Sequence, residues 1–165
     1  MGKSSLINML TGRSKLAMTS STPGKTKLIN HFLINDSWYL VDLPGYGYAK
    51  MSQKARAELQ QMIADYILGS EELMTLFVLV DSRYDITRID IDFIAELGEK
   101  GVPFAIIFTK CDKQGSSATA AQIRKSCDIL LRDWESLPPV FASSSEKQMG
   151  KEDILNYIGT ILSHS

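Results

Sequence analysis

The chain has 165 residues, is 44% hydrophobic and carries a formal net charge of −1, which suits one compact domain with a real core. No apolar run approaches the roughly 18–20 residues that a membrane-spanning helix needs, and no charged-then-apolar stretch opens the chain as an export signal. Cys111 and Cys127 are too few for a disulfide framework or a zinc site, so a reducing cytoplasm is the expected setting. The small net charge hides an asymmetry. Residues 1–56 hold 8 Lys/Arg against 2 Asp/Glu, leaving 10 against 17 for the remainder, so a front of +6 joins a rear of −7. Such a front suits a polyanion, either a nucleotide or RNA.

Met1-Gly2-Lys3-Ser4-Ser5-Leu6 has the form of the back half of a phosphate-binding loop, G-x-x-x-x-G-K-[ST], opening into a helix. In that pattern backbone N–H groups wrap the phosphates, the Lys reaches the β/γ oxygens and the Ser hydroxyl ligates Mg²⁺. The first Gly and the strand that feeds it would lie upstream of Met1, so the first strand and the front of the loop are expected to be absent. Leu6, Ile7, Met9 and Leu10 follow at helical spacing, and Gly12 stops the helix. Residues 14–26 are polar and turn-rich and read as a long loop. Leu28 to Ile34 and Trp38 to Asp42 read as an antiparallel hairpin joined by Asn35-Asp36-Ser37.

Leu43-Pro44-Gly45-Tyr46-Gly47-Tyr48 is a second loop. A helix is predicted over 52–68 with Leu59, Met62, Ile63, Tyr66 and Ile67 on one face. Leu76 to Val80, ending at Asp81, reads as a strand buried on both faces. Next come a helix over 88–100 ending at Gly101, a strand over 104–108 ending at Thr109-Lys110, and a helix over 117–135. A short strand at 140–142 and a helix over 151–162 complete the chain. The alternation predicts one α/β domain over 1–165: three layers, with a mostly parallel sheet, one antiparallel hairpin strand, and helices on both faces.

Ligands of such sheets bind beyond the carboxyl ends of the strands. The residues found there are Asp42-Leu43-Pro44-Gly45, Thr109-Lys110-Cys111-Asp112 and Ser144-Ser145-Glu146, with Gly2-Lys3-Ser4 at the same edge. Each alone is more often a plain turn, but their joint occurrence in order resembles the G motifs of Ras-like P-loop GTPases. Asp112 then accepts from the N1–H and N2 amino group of guanine. Adenine offers no such donor pair, and sites of this type discriminate by about 10⁴–10⁵. Lys110 lies along the base with its apolar stem, and the backbone N–H of Ser145 or Glu146 meets O6. Asp42 holds Mg²⁺ through a water, and the Gly45 N–H senses the γ-phosphate.

More specifically, Thr22-Pro23-Gly24-Lys25-Thr26, Leu28-Ile29-Asn30 and Asp42-Leu43-Pro44-Gly45-Tyr46-Gly47-Tyr48-Ala49-Lys50 closely resemble the EngB/YsxC family of the TrmE–Era group. The resemblance covers essentially the whole chain. It implies a first switch at Gly24-Lys25-Thr26-Lys27-Leu28, with Thr26 joining Ser4 and Asp42 as a metal ligand. It also implies nucleotide contacts from Gly2 to Ser5 and catalytic roles for Lys3, Thr26 and Gly45. The family is implicated in assembly of the large ribosomal subunit and is needed for normal cell division and septation. The cations near both switches (Lys15, Lys25, Lys27, Lys50, Lys54, Arg56) are what an rRNA-facing surface would need. A monomer meets every requirement of the motifs.

Ras-type enzymes orient the attacking water with a Gln after D-x-x-G, where this chain has Tyr46. Slow intrinsic hydrolysis is therefore expected, quickened by ribosomal particles or by a K⁺ ion held partly by an Asn upstream of Met1. The alternative is a non-hydrolysing, nucleotide-dependent module that docks RNA or protein. A P-loop ATPase is opposed by Asp112. His31 and His164 lack triad partners, Trp38 and Trp134 read as packing residues, and Asp90 and Asp92 share no helix face. Cys111 occupies the variable slot of T-K-x-D as a bystander.

Overall fold

Helix α1 (Gly2–Thr11) begins within the G-K-S run and stops at Gly12, whose φ of +70° is the left-handed conformation glycine adopts most readily. The Gly12 N–H returns to the Asn8 carbonyl at 2.9 Å, and Leu6 and Met9 are the helix's buried side chains. The computed structural model describes residues 2–12, 18–21, 29–35, 37–43 and 52–163. The chain divides into two compact units, one spanning residues 13–73 and the other made of 1–12 with 74–165.

In the 13–73 unit, strands β1 (Met18–Ser21), β2 (Asn30–Ile34) and β3 (Trp38–Asp42) form an antiparallel sheet in that order, followed by helix α2 (Gln53–Gly69). The β2–β3 hairpin pairs Asn30 with Asp42 through to Ile34 with Trp38, and the Ser37 N–H closes it on the Ile34 carbonyl at 3.0 Å. Asn35 takes the left-handed corner at φ +52°, which Asn tolerates better than most residues. β1 corrects the expectation of a loop over 14–26: Ser20 pairs with His31 and Ser21 with Asn30. Its ladder is made by backbone groups that any sequence supplies, and Met18-Thr19-Ser20-Ser21 carries no hydrophobic alternation to announce it. β2 starts at Asn30, two residues later than expected, just after the fully buried Ile29. Ser52 caps α2 by accepting the Ala55 N–H at 3.1 Å, and Leu59, Ile63 and Ile67 form its buried stripe. Tyr66 joins that helix to β2: its hydroxyl and His31 Nε2 are 3.2 Å apart, and burial together with Glu72 raises its phenol above the ordinary value.

The other unit carries the parallel part. Strands β4 (Leu76–Asp81), β5 (Phe104–Thr109) and β6 (Val140–Ala142) lie in that order. Helices α3 (Arg88–Glu99), α4 (Ser116–Leu131) and α5 (Lys151–Ser163) follow them in turn. All six residues of β5 are buried, as its central place demands. β4, expected to be buried on both faces, buries only Val78 and Val80, because it forms an edge of this sheet. α4 ends at Leu131, four residues short of the expected end. There the Arg132 and Asp133 N–H groups bond three residues back, tightening the last turn. Trp134 then turns inward to meet Phe104 edge-on at 5.7 Å. On α5, Ile154 and Ile158 are buried, and Tyr157 meets the rings of Phe77 and Phe141.

The fold class is α/β, as expected. Among the described residues it is carried by a parallel three-stranded sheet and an antiparallel one. Short turns pair the hairpin strands locally, whereas each crossover helix returns the chain in the parallel sense, so the two kinds of connection sort the strands. Because β4, β5 and β6 run the same way, their carboxyl ends open on one edge.

Candidate functional site

Three loops leave that edge side by side, and backbone bonds continue the ladder into them. The Ser82 N–H donates to the Thr109 carbonyl at 3.0 Å, Cys111 N–H to Ser143 O at 3.0 Å, and Ser143 N–H to Phe108 O at 2.8 Å. Thr109 is buried, with its hydroxyl on the Val80 carbonyl at 3.5 Å. Lys110 has φ +60°, a strained value for a residue with a Cβ, and such strain concentrates where a side chain must be aimed. Cys111 is buried, its thiol directed at the Phe108 carbonyl at 3.4 Å.

Asp112 is the centre of the constellation. Its side chain is 10% exposed, and the Ser144 hydroxyl donates to Oδ1 at 2.6 Å. That bond is the leading cause that holds the Asp112 carboxyl below the ordinary carboxylate range; it outweighs desolvation, and Lys113 adds to it. Lys113 Nζ lies 3.9 Å from Asp112 Oδ2 and 2.9 Å from the exposed Glu146, so the loop after β5 is clasped to the loop after β6. Ser144 is itself fixed. It exchanges two backbone bonds with Met149, at 3.1 and 2.9 Å, and its oxygen accepts the Lys147 N–H at 3.2 Å. Gly150 ends this loop at φ +82°, packed against the Ala142 carbonyl.

Three of the expected residues, Asp112, Ser144 and Glu146, thus meet in one network with Lys113, whose N–H donates to the Lys110 carbonyl at 3.2 Å; Thr109 and Cys111 anchor it, and Ser145 lies between its members. Lys3, Ser4 and Ser5 occupy the first turn of α1 in the same unit, with Lys3 half-buried and the two serines exposed. Asp42 and Leu43 close β3 in the other unit, both half-buried. Gly24, Lys25, Thr26, Lys27, Leu28, Pro44, Gly45 and Tyr46 lie outside the described residues, as do Lys15 and Lys50. Two residues at this edge escaped the sequence reading, Asp81 and Arg83. An acidic residue closing an apolar strand, with Arg two places on, was the available signal.

Among the described residues no group of three or more His, Cys, Asp or Glu could hold a metal ion. Ser4 offers an exposed hydroxyl in the first turn of α1. Such a hard oxygen is of the kind Mg²⁺ takes alongside retained waters and the substrate's phosphates. Nothing in the structure or the comparisons supports the expected K⁺ ion. No helix of the described residues is long and apolar enough to cross a membrane.

The family model described as "50S ribosome-binding GTPase" matches residues 1–110. A "Probable GTP-binding protein EngB" from Bacteroides fragilis is 58% identical over 160 residues, covering 97% of this chain and 80% of the relative. The chain belongs to the EngB family of P-loop GTPases. That family hydrolyses GTP. Its Porphyromonas gingivalis member is 56% identical over the same shares of the two chains, and its Flavobacterium johnsoniae member 48% identical over 163 residues, 97% of this chain and 77% of the relative. A crystal structure of a probable GTP-binding protein EngB matches with a TM-score of 0.72 at 18% identity, covering 99% of this chain and 94% of that one. Era in complex with MgGDPNP and a 16S ribosomal RNA segment matches at 0.63 with 21% identity, covering 98% and 52%. At these identities the two structures speak for the fold.

Proposed function

We propose that this EngB-type GTPase acts as a Mg²⁺-dependent switch in assembly of the large ribosomal subunit, through which it supports cell division and septation in the cytoplasm. The observation that carries the nucleotide assignment is Asp112, a largely covered carboxylate kept ionised and oriented by Ser144 at 2.6 Å. A fixed, acceptor-only carboxylate at the end of a central strand suits the paired donors of guanine and penalises adenine. Lys110 lines the face of the base, and the backbone of Ser145 or Glu146 meets its O6.

At the phosphate end, the amino terminus of α1 and the Gly2–Ser5 backbone receive the anion, and Lys3 reaches the β/γ oxygens. Ser4, Thr26 and Asp42 would hold Mg²⁺, which neutralises phosphate charge when bound. The Gly45 N–H contacts the γ-phosphate, and Gly24 to Leu28 form the switch that reads it. With Tyr46 in place of a water-orienting Gln, the intrinsic rate is slow and rises on ribosomal particles. The description "50S ribosome-binding" of the matching family model supports that partner, as do Lys54 and Arg56 at the start of α2.

Two measurements test this. Asp112→Asn should lose GDP affinity by at least about a hundredfold while gaining xanthosine diphosphate; unchanged base preference sinks the assignment. Multiple-turnover phosphate release with 50S particles should exceed one equivalent and vanish in Lys3→Ala. Phosphate that never rises above background, even with 50S particles, would instead select the non-hydrolysing module.

A further inference from the structure

Asp81 ends β4 directly beside Thr109, its partner in the ladder. Its carboxylate is oriented from three directions. The Arg83 backbone N–H and Nε both donate to Oδ1 at 3.0 Å, and Arg83 Nη2 donates to Oδ2 at 2.8 Å. Lys110 Nζ sits 3.4 Å from the same Oδ2. All three side chains are only about one-third exposed, at 28% for Asp81, 31% for Arg83 and 35% for Lys110. Arg83 is steadied in turn by the Tyr84 ring, whose centroid lies 5.1 Å from its guanidinium carbon. The following segment is pinned to α4, where the buried Ser126 hydroxyl accepts the Ile86 N–H at 3.1 Å and Gln122 donates to Asp85 at 2.6 Å. Burial alone would raise the Asp81 carboxyl, but the Arg83 bonds and the Lys110 charge outweigh it and hold it below the ordinary range. The acceptor facing Lys110 is therefore a fixed anion at neutral pH.

Lys110 has two constraints with one purpose. Its backbone is held at φ +60°, and its ammonium is tethered at the far end. A four-carbon stem fixed at both ends is a rigid apolar strip, whereas a free lysine loses much of its rotamer entropy when it orders against a ligand.

We propose that Asp81, aimed by Arg83, is a positioning residue of the nucleotide site: it holds the Lys110 ammonium so that the lysine stem forms a preorganised platform for the face of the guanine base. This rests on the guanine assignment above and extends it to a strand end that carries none of the nucleotide motifs. The platform covers the face of the base, while Asp112 reads its edge, so the two contributions separate by experiment.

Calorimetry with GDP and inosine diphosphate on Asp81→Asn, Lys110→Met and the double variant tests it. Asp81→Asn should weaken GDP about tenfold, the scale of a lost charge-assisted contact, and weaken inosine diphosphate by the same factor. In the Lys110→Met background, where the stem remains but the tether has no charge to hold, Asp81→Asn should change affinity less than twofold. Full GDP affinity in Asp81→Asn, or the same loss in both backgrounds, would overturn the proposal. Failure of Asp112→Asn to alter base preference would instead overturn the guanine site itself. If Asp81→Asn does not fold, Arg83→Gln replaces it: the fork that aims the carboxylate is gone, and GDP must weaken with Lys110 present but not with Met there.

Discussion

Gly150 offers the sharpest test of how the loop after β6 is built, through the substitution Gly150→Ala. Its φ of +82° is one that L side chains rarely adopt, which costs about 1–2 kcal/mol. A methyl group there would also fall well inside 3.0 Å of the Ala142 carbonyl oxygen, and within 3.2 Å of its carbon and 3.3 Å of Ser143 Cα. These are backbone atoms, and they cannot swing aside: Ala142 is paired with Phe108, and the Ser143 N–H and hydroxyl both donate to the Phe108 carbonyl, at 2.8 and 3.0 Å. Overpacking of this kind adds about 1–3 kcal/mol, for a total of about 2–5 kcal/mol. The loop can escape only by carrying Ser144 away from Asp112, so GDP affinity should fall more than tenfold along with stability. Urea denaturation followed by calorimetry with GDP checks both. A Gly150→Ala protein within 1 kcal/mol of the parent that binds GDP normally would show that the loop yields where it is described as fixed.

Two further outcomes follow from side-chain geometry and charge. Gly98→Ala would ordinarily stabilise a helix by up to about 1 kcal/mol, but its methyl group would lie within 3.0 Å of the Trp134 ring. The sign should reverse to a loss of about 1–3 kcal/mol, with a red-shifted tryptophan emission as the indole leaves Phe104. In acid, Asp81 and Asp112 have folded-state carboxyls below the ordinary range, so their contribution is full above about pH 4 and drains away as pH falls through their lowered values. Melting temperature against pH should therefore drop below about pH 4, and less steeply in Asp81→Asn.

The parts of this protein written in apolar periodicity were legible from the chain alone. Val78, Ile106 and Ile107 announced parallel strands, the Leu59–Ile63–Ile67 stripe announced α2, and Gly12 and Gly101 marked helix ends at positive φ. Lys110, Asp112, Ser144 and Glu146 were legible too, because they follow those strands in order. β1 was not, since Met18-Thr19-Ser20-Ser21 carries no apolar alternation to announce its backbone ladder. Nor was the end of α4, where the Phe104–Trp134 contact, made between residues 30 apart in sequence, decides that the chain turns inward. Asp81 was hidden for the same reason: its significance lies in Lys110, which follows it across an entire crossover helix.

The complete burial of β5 carries a consequence for how nucleotide capture relates to folding. Its residues from Phe104 to Thr109 can open to water only when the surrounding core opens. The loop that carries Asp112, proposed above as the reader of the base, hangs from that strand and is stitched to Ser143, so its opening should follow that of the core. A chain weakened anywhere in this core will then keep normal guanine selectivity until it melts, and lose selectivity and fold at the same temperature. Bound nucleotide, conversely, should slow amide exchange at β5 as strongly as at the loop that touches it.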